Sequence, residues 1–132
     1  MNEIDIKDIP ESKHIVTALE VTSGAPIPAL DYLKIFNADS WEDLTLELVS
    51  YWKTQYPRVV RCGAGGDMGR DVIAYRYDEP KDWENYQCKH YDKRLSLSLA
   101  LLEIGKILFY AHRGEFSLPK HYYFVSPQGV SN

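Results

Sequence analysis

A glycine-rich segment in the middle of the chain is the feature that most constrains its fold. Residues 63–69 read GAGGDMG, and they separate two β-prone runs, RVVRC at 58–62 and DVIAYRY at 71–77. A flexible glycine connection between two such runs is typical of a β-hairpin. A third strand-like run, NYQCKHY at 85–91, follows after a short turn. The sequence therefore predicts a sheet that is built around a hairpin.

A helix is predicted immediately before the hairpin. Ser40 has the character of an N-cap, because Asp43 follows three residues later in a variant of the capping box. Pro57 ends the segment. Apolar side chains recur at helical spacing and predict one stripe that faces the core: Trp41, Leu44, Leu48 and Trp52, with Thr45 and Val49 beside them.

A second helix is predicted over residues 95–110 (LSLSLALLEIGKILFY). Its opening alternation could pass for a strand, but its length and the helical spacing of Leu97, Leu101 and Leu108, together with Ile104, favour a helix. Gly105 is unusual in the middle of a helix, and it marks either close packing on the sheet or an incorrect helix assignment. The run HYYFVS at 121–126 predicts a last strand, parallel to a neighbour because it follows a crossover helix.

These elements predict an α/β fold in the order α-β-β-β-α-β, with a central mixed sheet flanked by helices. Residues 1–39 are expected to form an N-terminal extension with a short helix near 29–36, and residues 40–132 the core. The pattern HIVTALEV at 14–21 fits a short strand and a helical turn equally well.

The charge balance excludes one class of nucleic-acid-binding protein. The chain has 15 Lys and Arg against 19 Asp and Glu, so it is not a polycation that holds nucleic acid by bulk attraction. No run of eighteen apolar residues and no basic leader is present, so we expect no membrane span and a cytoplasmic location. In that reducing compartment, Cys62 and Cys88 are expected to be free thiols.

Three residues near the hairpin predict a catalytic site. Gln87 and Lys89 lie two apart on a predicted strand and so share a face, and strand pairing can bring Asp71 to the same end of the sheet. Phosphodiester hydrolysis needs such a set, in which the oxygens hold a divalent cation and the lysine orients water or offsets charge on the phosphorane. The sparse oxygen ligands suit Mg²⁺, with Mn²⁺ able to substitute.

The segments GGDMGRDVIAY and YQCKHY resemble the Mrr-like branch of the PD-(D/E)xK restriction-endonuclease superfamily. The resemblance extends from about Trp41 to Val125 and implies a restriction-endonuclease-like fold. It implies that Asp71 is the metal-binding acid, that Gln87 occupies the variable (D/E/Q) position, and that Lys89 is the catalytic lysine. The pair Trp41-Glu42 matches an aromatic-Glu pair of this branch, so Glu42 is expected to join Asp71 and Gln87 as a metal ligand.

The resemblance implies a Mg²⁺-dependent endonuclease that cuts double-stranded DNA as the effector domain of an antiphage defence system. It also implies a missing C-terminal sensor or ATPase region of a longer chain, and a homodimer or higher oligomer as the possible assembly. The alternatives are a catalytically inactive DNA-binding or assembly module of the same fold, and a nuclease that acts on RNA.

Several further residues have two possible readings. One group consists of either phosphate contacts or solvated surface charges: Arg70, His90, Lys93, Arg94 and Lys106. Asp67 is either a second ligand or a turn residue. The aromatic side chains of Trp52, Tyr86, Phe109 and the run 122–124 are expected in the core or on a sheet face before they are base-stacking platforms.

Overall fold

The computed structural model describes residues 18, 22, 24, 27–52, 56–63, 67–77 and 79–132. The elements bounded by these described residues are the helices α1 (Ala29–Lys34), α2 (Ala38–Trp52) and α3 (Leu97–His112) and the strands β1 (Arg58–Arg61), β2 (Val72–Tyr75), β3 (Trp83–Cys88) and β4 (His121–Val125). From α2 onward the predicted order α-β-β-β-α-β is confirmed, as is the short helix before it. Apart from Ala18, the ambiguous segment 14–21 lies outside the described residues.

The four strands form one mixed sheet in the order β1-β2-β3-β4. β1 pairs with β2 and β2 with β3 in antiparallel fashion, whereas β3 and β4 are parallel. The predicted parallel last strand is therefore confirmed. In the register of β2 and β3, Val72 lies opposite Tyr86 and Tyr75 lies opposite Trp83.

The central strand β3 is buried on both of its faces. Tyr86 and Cys88 face α2 and belong to a core cluster with Trp41, Val49, Tyr56, Val72 and Ala74. Alternate residues face α3, where Trp83 packs with Ile73 and Ile107. Asn85 and Gln87 share this second face, so polar groups lie inside the layer between the sheet and α3.

Two details of α2 differ from the predictions. The helix begins at Ala38, and its cap is Asn37, whose Oδ1 accepts the Ser40 N–H at 2.7 Å, so the prediction of Ser40 as N-cap was wrong. The predicted stripe is also rotated. Its buried line is Trp41, Thr45 and Val49, whereas Leu44 is half-buried and Leu48 is 50% exposed. The reason for this rotation is a hydrogen bond from Trp41 Nε1 to the Val125 carbonyl at 3.0 Å, which fixes the helix against β4.

Helix α3 is confirmed, but it faces the sheet in an unexpected way. Its buried residues are Glu103 and Ile107, while Leu97, Leu101 and Leu108 are at least half exposed. Gly105 is exposed with open space around it, so the alternatives of close packing on the sheet and of a misassigned helix were both wrong. In the described part of the chain, no helix combines the length and the apolar character needed to cross a membrane.

Candidate functional site

The hairpin places Asp71 at the end of the sheet that also carries Lys89. The Cys62 N–H donates to the Asp71 carbonyl at 2.7 Å, which extends the β1–β2 pairing by one residue. Gly69 has a φ of 83°, and a Cβ there would lie 3.2 Å from the Cβ of Lys106 on α3. Glycine is therefore required both for the backbone conformation and for the close approach of the loop to α3.

Asp71 is a buried carboxyl group that is only partly satisfied. It is 8% exposed, its Oδ2 accepts the Cys88 N–H at 2.8 Å, and its Oδ1 has no hydrogen-bond partner among the described residues. Burial raises the pKa of Asp71 to about 6; the Cys88 N–H and Lys89 oppose that rise, and the carboxylates of Glu42 and Asp67 add to it. A cation at Oδ1 would relieve both the burial and the like charges.

Lys89 is held in place by Glu103. Its backbone N–H donates to the Val125 carbonyl at 2.9 Å, so strand pairing continues one residue past β3. Its Nζ lies 3.1 Å from Glu103 Oε1, and the Nζ of Lys106 lies at the same distance from that oxygen. Burial raises the pKa of Glu103, but hydrogen bonds from the two lysines outweigh burial and bring the pKa below its usual value. Glu103 is therefore an ionised anchor for Lys89.

Sequence reasoning missed Glu103. The available signal was its isolation, since it is the one carboxylate in the apolar run 95–110. Its neighbour Lys106 is the other charged residue of the run, and a carboxylate in such apolar surroundings is costly to bury without a partner, so a cationic partner is expected for it.

Gln87 connects Glu103 to the interior of the sheet. Its Nε2 donates to Glu103 Oε2 at 3.4 Å, and its Oε1 accepts from Asn85 Nδ2 at 3.2 Å and from the Tyr122 hydroxyl at 3.1 Å. The Glu103 carboxylate fixes the orientation of the Gln87 amide, because only the amide nitrogen can donate to it. The Gln87 oxygen already has two donors, so its use as a metal ligand would require these hydrogen bonds to be exchanged.

Glu42 lies near the site but is shared with an arginine. Its Oε2 is 2.8 Å from Arg61 Nε, and Arg61 also contacts Asp39 and Asp43 at 2.7 Å each. The charge of Glu42 contributes to the raised pKa of Asp71, which places the two carboxylates within electrostatic range. Arg61 therefore partly neutralises the acidic edge of the site.

The loop next to Asp71 is stabilised by its own polar contacts. Asp67 Oδ1 accepts the Gly69 N–H at 3.1 Å, which is turn chemistry of the expected kind. Arg70 Nε donates to the Asp67 carbonyl at 2.9 Å, and its guanidinium lies 4.2 Å from the centre of the Phe116 ring. Arg70 is therefore oriented by its neighbours and is not a freely solvated charge.

The other predicted phosphate contacts separate into different environments. His90 Nε2 donates to the Leu33 carbonyl at 3.0 Å, and its ring packs edge-on against Trp41, so it joins α1 to the core. Lys93 and Arg94 are exposed after β3. Lys106 pairs with Glu103, but its side chain is 57% exposed and can reach a ligand.

The donor set fits a magnesium ion that keeps most of its waters. Among the described residues, no three His, Cys, Asp or Glu side chains form a ready metal cluster. Asp71 nevertheless offers Oδ1 and has Glu42 nearby, and Mg²⁺ commonly takes one or two carboxylates and retains several waters. Both cysteines are free, as predicted, and burial raises the pKa of the Cys88 thiol to about 12, so Cys88 is not an anionic ligand.

The site therefore combines a buried acid with an unpartnered oxygen, a lysine fixed beside it, and a carboxylate that anchors the lysine. Comparisons of the chain with protein-family models, with curated proteins and with solved structures found no match in any of the three.

Proposed function

We propose that the chain is a metal-dependent nuclease domain of the Mrr-like type, with a restriction-endonuclease-like fold, that hydrolyses phosphodiester bonds of double-stranded DNA. The observation that carries the proposal is the placement of Asp71 next to Lys89. The N–H that Asp71 accepts belongs to Cys88, the residue directly before Lys89. The charge of Lys89 also opposes the rise that burial causes in the pKa of Asp71, so the ammonium group lies within electrostatic range of the carboxyl at one end of the sheet.

Asp71 would hold Mg²⁺ or Mn²⁺ together with Glu42, once Glu42 exchanges its contact with Arg61. When bound, the cation supplies Lewis-acid polarisation of the phosphate and lowers the pKa of the attacking water. Lys89 donates hydrogen bonds to that water or to a phosphate oxygen as negative charge develops. An ammonium group has three donors, so Lys89 can do this while it stays bonded to Glu103.

Glu103 and Gln87 support this chemistry without touching the substrate. Glu103 restricts the position of Lys89 through a contact of 3.1 Å, and Gln87 donates to the second oxygen of Glu103. Positioning of a catalytic group in this way reduces the entropy that the reaction would otherwise lose.

Binding of DNA by a chain with a net charge of -4 requires local positive charge. Lys106, Lys93 and Arg94 are exposed and would contact phosphates, with Arg70 beside the site. In line with the Mrr-like resemblance, we assign this activity to a cytoplasmic effector of antiphage defence.

A second candidate is an inactive DNA-binding or assembly module of the same fold. The observation in its favour is that most of the polar groups already have partners inside the protein. Glu42 binds Arg61, the Gln87 oxygen accepts from Asn85 and Tyr122, and Lys89 binds Glu103. A network that only stabilises the fold would have the same contacts.

Cleavage of supercoiled plasmid with Mg²⁺ or Mn²⁺ distinguishes these candidates. We expect nicked and linear products from the wild type, and a rate at least ~100-fold lower for Lys89→Ala because charge on the phosphorane is no longer offset. The matched control is Lys81→Ala, which removes an exposed lysine in the turn before β3, away from the site, and should change the rate by no more than about threefold.

Two results would overturn the nuclease proposal. One is an intact plasmid at every protein concentration while the protein still shifts DNA in a gel, which supports the inactive module. The other is equal cleavage by Lys89→Ala and the wild type. Parallel reactions with duplex DNA, single strands and tRNA test the nucleic acid, and cleavage of tRNA alone would replace DNA with RNA as the substrate.

A further inference from the structure

Helix α3 presents to solvent a face that has the composition of a protein core. Leu101, Leu102, Leu108 and Phe109 lie within about 60° of Gly105 around the helix axis, at ~100° per residue. These four side chains are 50–64% exposed. A surface helix normally has the opposite arrangement, with its apolar stripe toward the core.

The charged residues of α3 lie on its other side. Glu103 is buried beneath the helix and Lys106 lies at its flank, where the two side chains meet at 3.1 Å. Within α3 no Asp, Glu, Lys or Arg lies on the outward face, which also includes Ser98 and His112. The guanidinium of Arg113, just past the end of the helix, lies 5.7 Å from the centre of the Phe109 ring at one edge of the face. The polarity of α3 is thus inverted, because its carboxylate is needed inside to hold Lys89.

The apolar surface continues past both ends of the helix. Leu97 lines a groove with Val130, and Leu108 lines another with Leu118. With the four side chains on the face, these residues expose on the order of 800 Å² of mostly apolar surface, which matches the ~800 Å² that each partner buries in a standard interface. The largest apolar patch of a typical monomer is smaller, roughly 300–600 Å².

Gly105 lies at the centre of this face, and no contact within the described part of the chain requires glycine there. A Cβ at this position would meet nothing within 4 Å, and its φ is not in the left-handed region. Glycine in a helix interior is less favourable than alanine. A second helix that crosses at this point can approach α3 closely, because Gly105 has no side chain to hold the two helix axes apart.

The face is also symmetric about Gly105. Leu101 and Leu102 lie four and three residues before it, and Leu108 and Phe109 lie three and four residues after it. A twofold axis through Gly105 brings the first pair of one copy onto the second pair of the other, which is the self-complementarity that an isologous interface requires. The helices are then antiparallel, so their macrodipoles attract.

We propose that two copies of this chain associate through the outward face of α3, antiparallel about a twofold axis at Gly105. The occupant is a second copy because the face is self-complementary, is apolar apart from Arg113 at one edge, and has the area of a standard dimer. This inference does not depend on nuclease activity, and the absence of plasmid cleavage would leave it unaffected.

Analytical ultracentrifugation over a concentration series tests the dimer. We expect the wild type to sediment as a dimer, and Leu108→Glu to weaken self-association at least ~100-fold because each interface would gain two buried, unpaired charges. The control is Ile35→Glu, an equally polar change at a side chain that is 73% exposed on α1's end, and it should leave the dimer unchanged. Circular dichroism verifies that Leu108→Glu, altered at a half-exposed position, stays folded.

Cysteine cross-linking tests the position of the axis. Residues on a twofold axis meet their own copies, so Gly105→Cys should form a disulfide-linked dimer within the Cα separation of ~4.4–6.8 Å that disulfides allow. The wild type, with Cys62 and Cys88, controls for other thiols. Sedimentation of the folded wild type as a monomer at ~100 µM, about 100-fold above a μM dissociation constant, would overturn the proposal, as would a Leu108→Glu dimer as stable as the wild type's. Because a cysteine side chain at 105 can itself hinder the close approach, a mixture of Leu101→Cys and Phe109→Cys proteins provides a second pair that the axis brings together. A wild-type dimer in which neither Gly105→Cys nor this mixture cross-links would overturn the axis.

Discussion

Two buried carboxylates on the sheet differ in how completely the protein satisfies them. Glu84, near the start of β3, is 3% exposed, and its Oε2 accepts the Tyr56 hydroxyl. Its Oε1 lies 3.0 Å from His121 Nδ1 and 3.8 Å from Arg76 Nε. Asp71, at the other end of the β2–β3 pair, is 8% exposed and has one N–H donor on one oxygen.

The surroundings of these two groups explain the difference. The Tyr56 hydroxyl that donates to Glu84 also lies 2.9 Å from the Tyr86 hydroxyl, and burial together with these hydrogen bonds raises the pKa of Tyr56. Glu84 therefore lies among hydrogen-bond donors and near the Arg76 guanidinium. Asp71 lies near other carboxylates and keeps an oxygen without a partner, an arrangement that costs stability and is useful only to a ligand.

The largest expected effect is on cleavage. Asp71→Asn should lower the rate of plasmid cleavage at least ~1000-fold, because a neutral amide is a poor Mg²⁺ ligand. Glu84→Gln, the same chemical change at the other carboxylate, should alter the rate by no more than about threefold at a temperature where the variant is folded. Equal losses for the two variants would show that the proposed site has no special role.

The next effect is on the free energy of unfolding. Glu84→Gln should lower it by about 2 kcal/mol, because the buried Tyr56 hydroxyl loses its charged acceptor, while the partly exposed Arg76 and His121 contribute little. Urea denaturation followed by fluorescence measures the change, and Glu47→Gln on the exposed side of α2 serves as the control with an expected change under ~0.5 kcal/mol. A Glu84→Gln variant as stable as the wild type would remove the distinction between the two carboxylates.

At Asp71 the same substitution should stabilise the fold. The folded pKa of about 6 exceeds the ordinary value of 3.8, so the folded state holds the proton more tightly. The stability that this tighter proton binding contributes is present below pH 4 and is lost as the pH rises to 6. Above pH 6 the ionised carboxyl costs on the order of 2–3 kcal/mol. Asp71→Asn should therefore raise the free energy of unfolding by about 2 kcal/mol at pH 8 and by little at pH 4.

Urea denaturation at the two pH values checks this prediction. Destabilisation by Asp71→Asn at pH 8 would mean that the ionised carboxyl is satisfied in the fold, as Glu84 is, and the comparison would fail. A gain that is equal at both pH values would mean that the effect does not arise from ionisation.

The smallest effect concerns Glu103 as a positioning residue. Glu103→Gln should lower kcat about tenfold, because Lys89 loses its ionic anchor, while KM for DNA changes little. Glu103→Asp should recover part of the loss, since it retains the charge. A purely structural role would instead lower thermal stability and leave kcat of the folded protein unchanged. Lys106→Ala removes the other ion pair of Glu103 and a proposed phosphate contact, so it should raise KM for DNA and leave kcat unchanged.

The parts of the fold that could be predicted follow from local patterns. The glycine segment and its flanking β-prone runs indicate the hairpin, and the period of two along β3 correctly places Gln87 on the face of Asn85. Strand pairing then brings Asp71 next to the end of β3, as expected from the short connection between β2 and β3. Whether these residues catalyse a reaction stays a prediction.

The parts that could not be predicted depend on contacts between distant segments. The rotation of α2 depends on the hydrogen bond from Trp41 to Val125, which no local pattern encodes. The inward direction of Glu103 depends on Lys89, and an apolar pattern taken by itself predicts that the leucines of α3 face inward. The donors on the Gln87 oxygen come from Asn85 and Tyr122, and the Tyr122 contact forms only when β4 joins the sheet.

The contact of Gly69 with α3 has a mechanical consequence. Because Gly69 has no side chain, the hairpin loop can pack against the Cβ of Lys106. A methyl group at this position would push the loop and α3 apart. The loop carries Asp71 two residues later, and α3 carries Glu103 one turn earlier. The distance between Asp71 and Glu103, the residue that holds Lys89, is thus set by a nonpolar contact. Neither pH nor salt weakens such a contact.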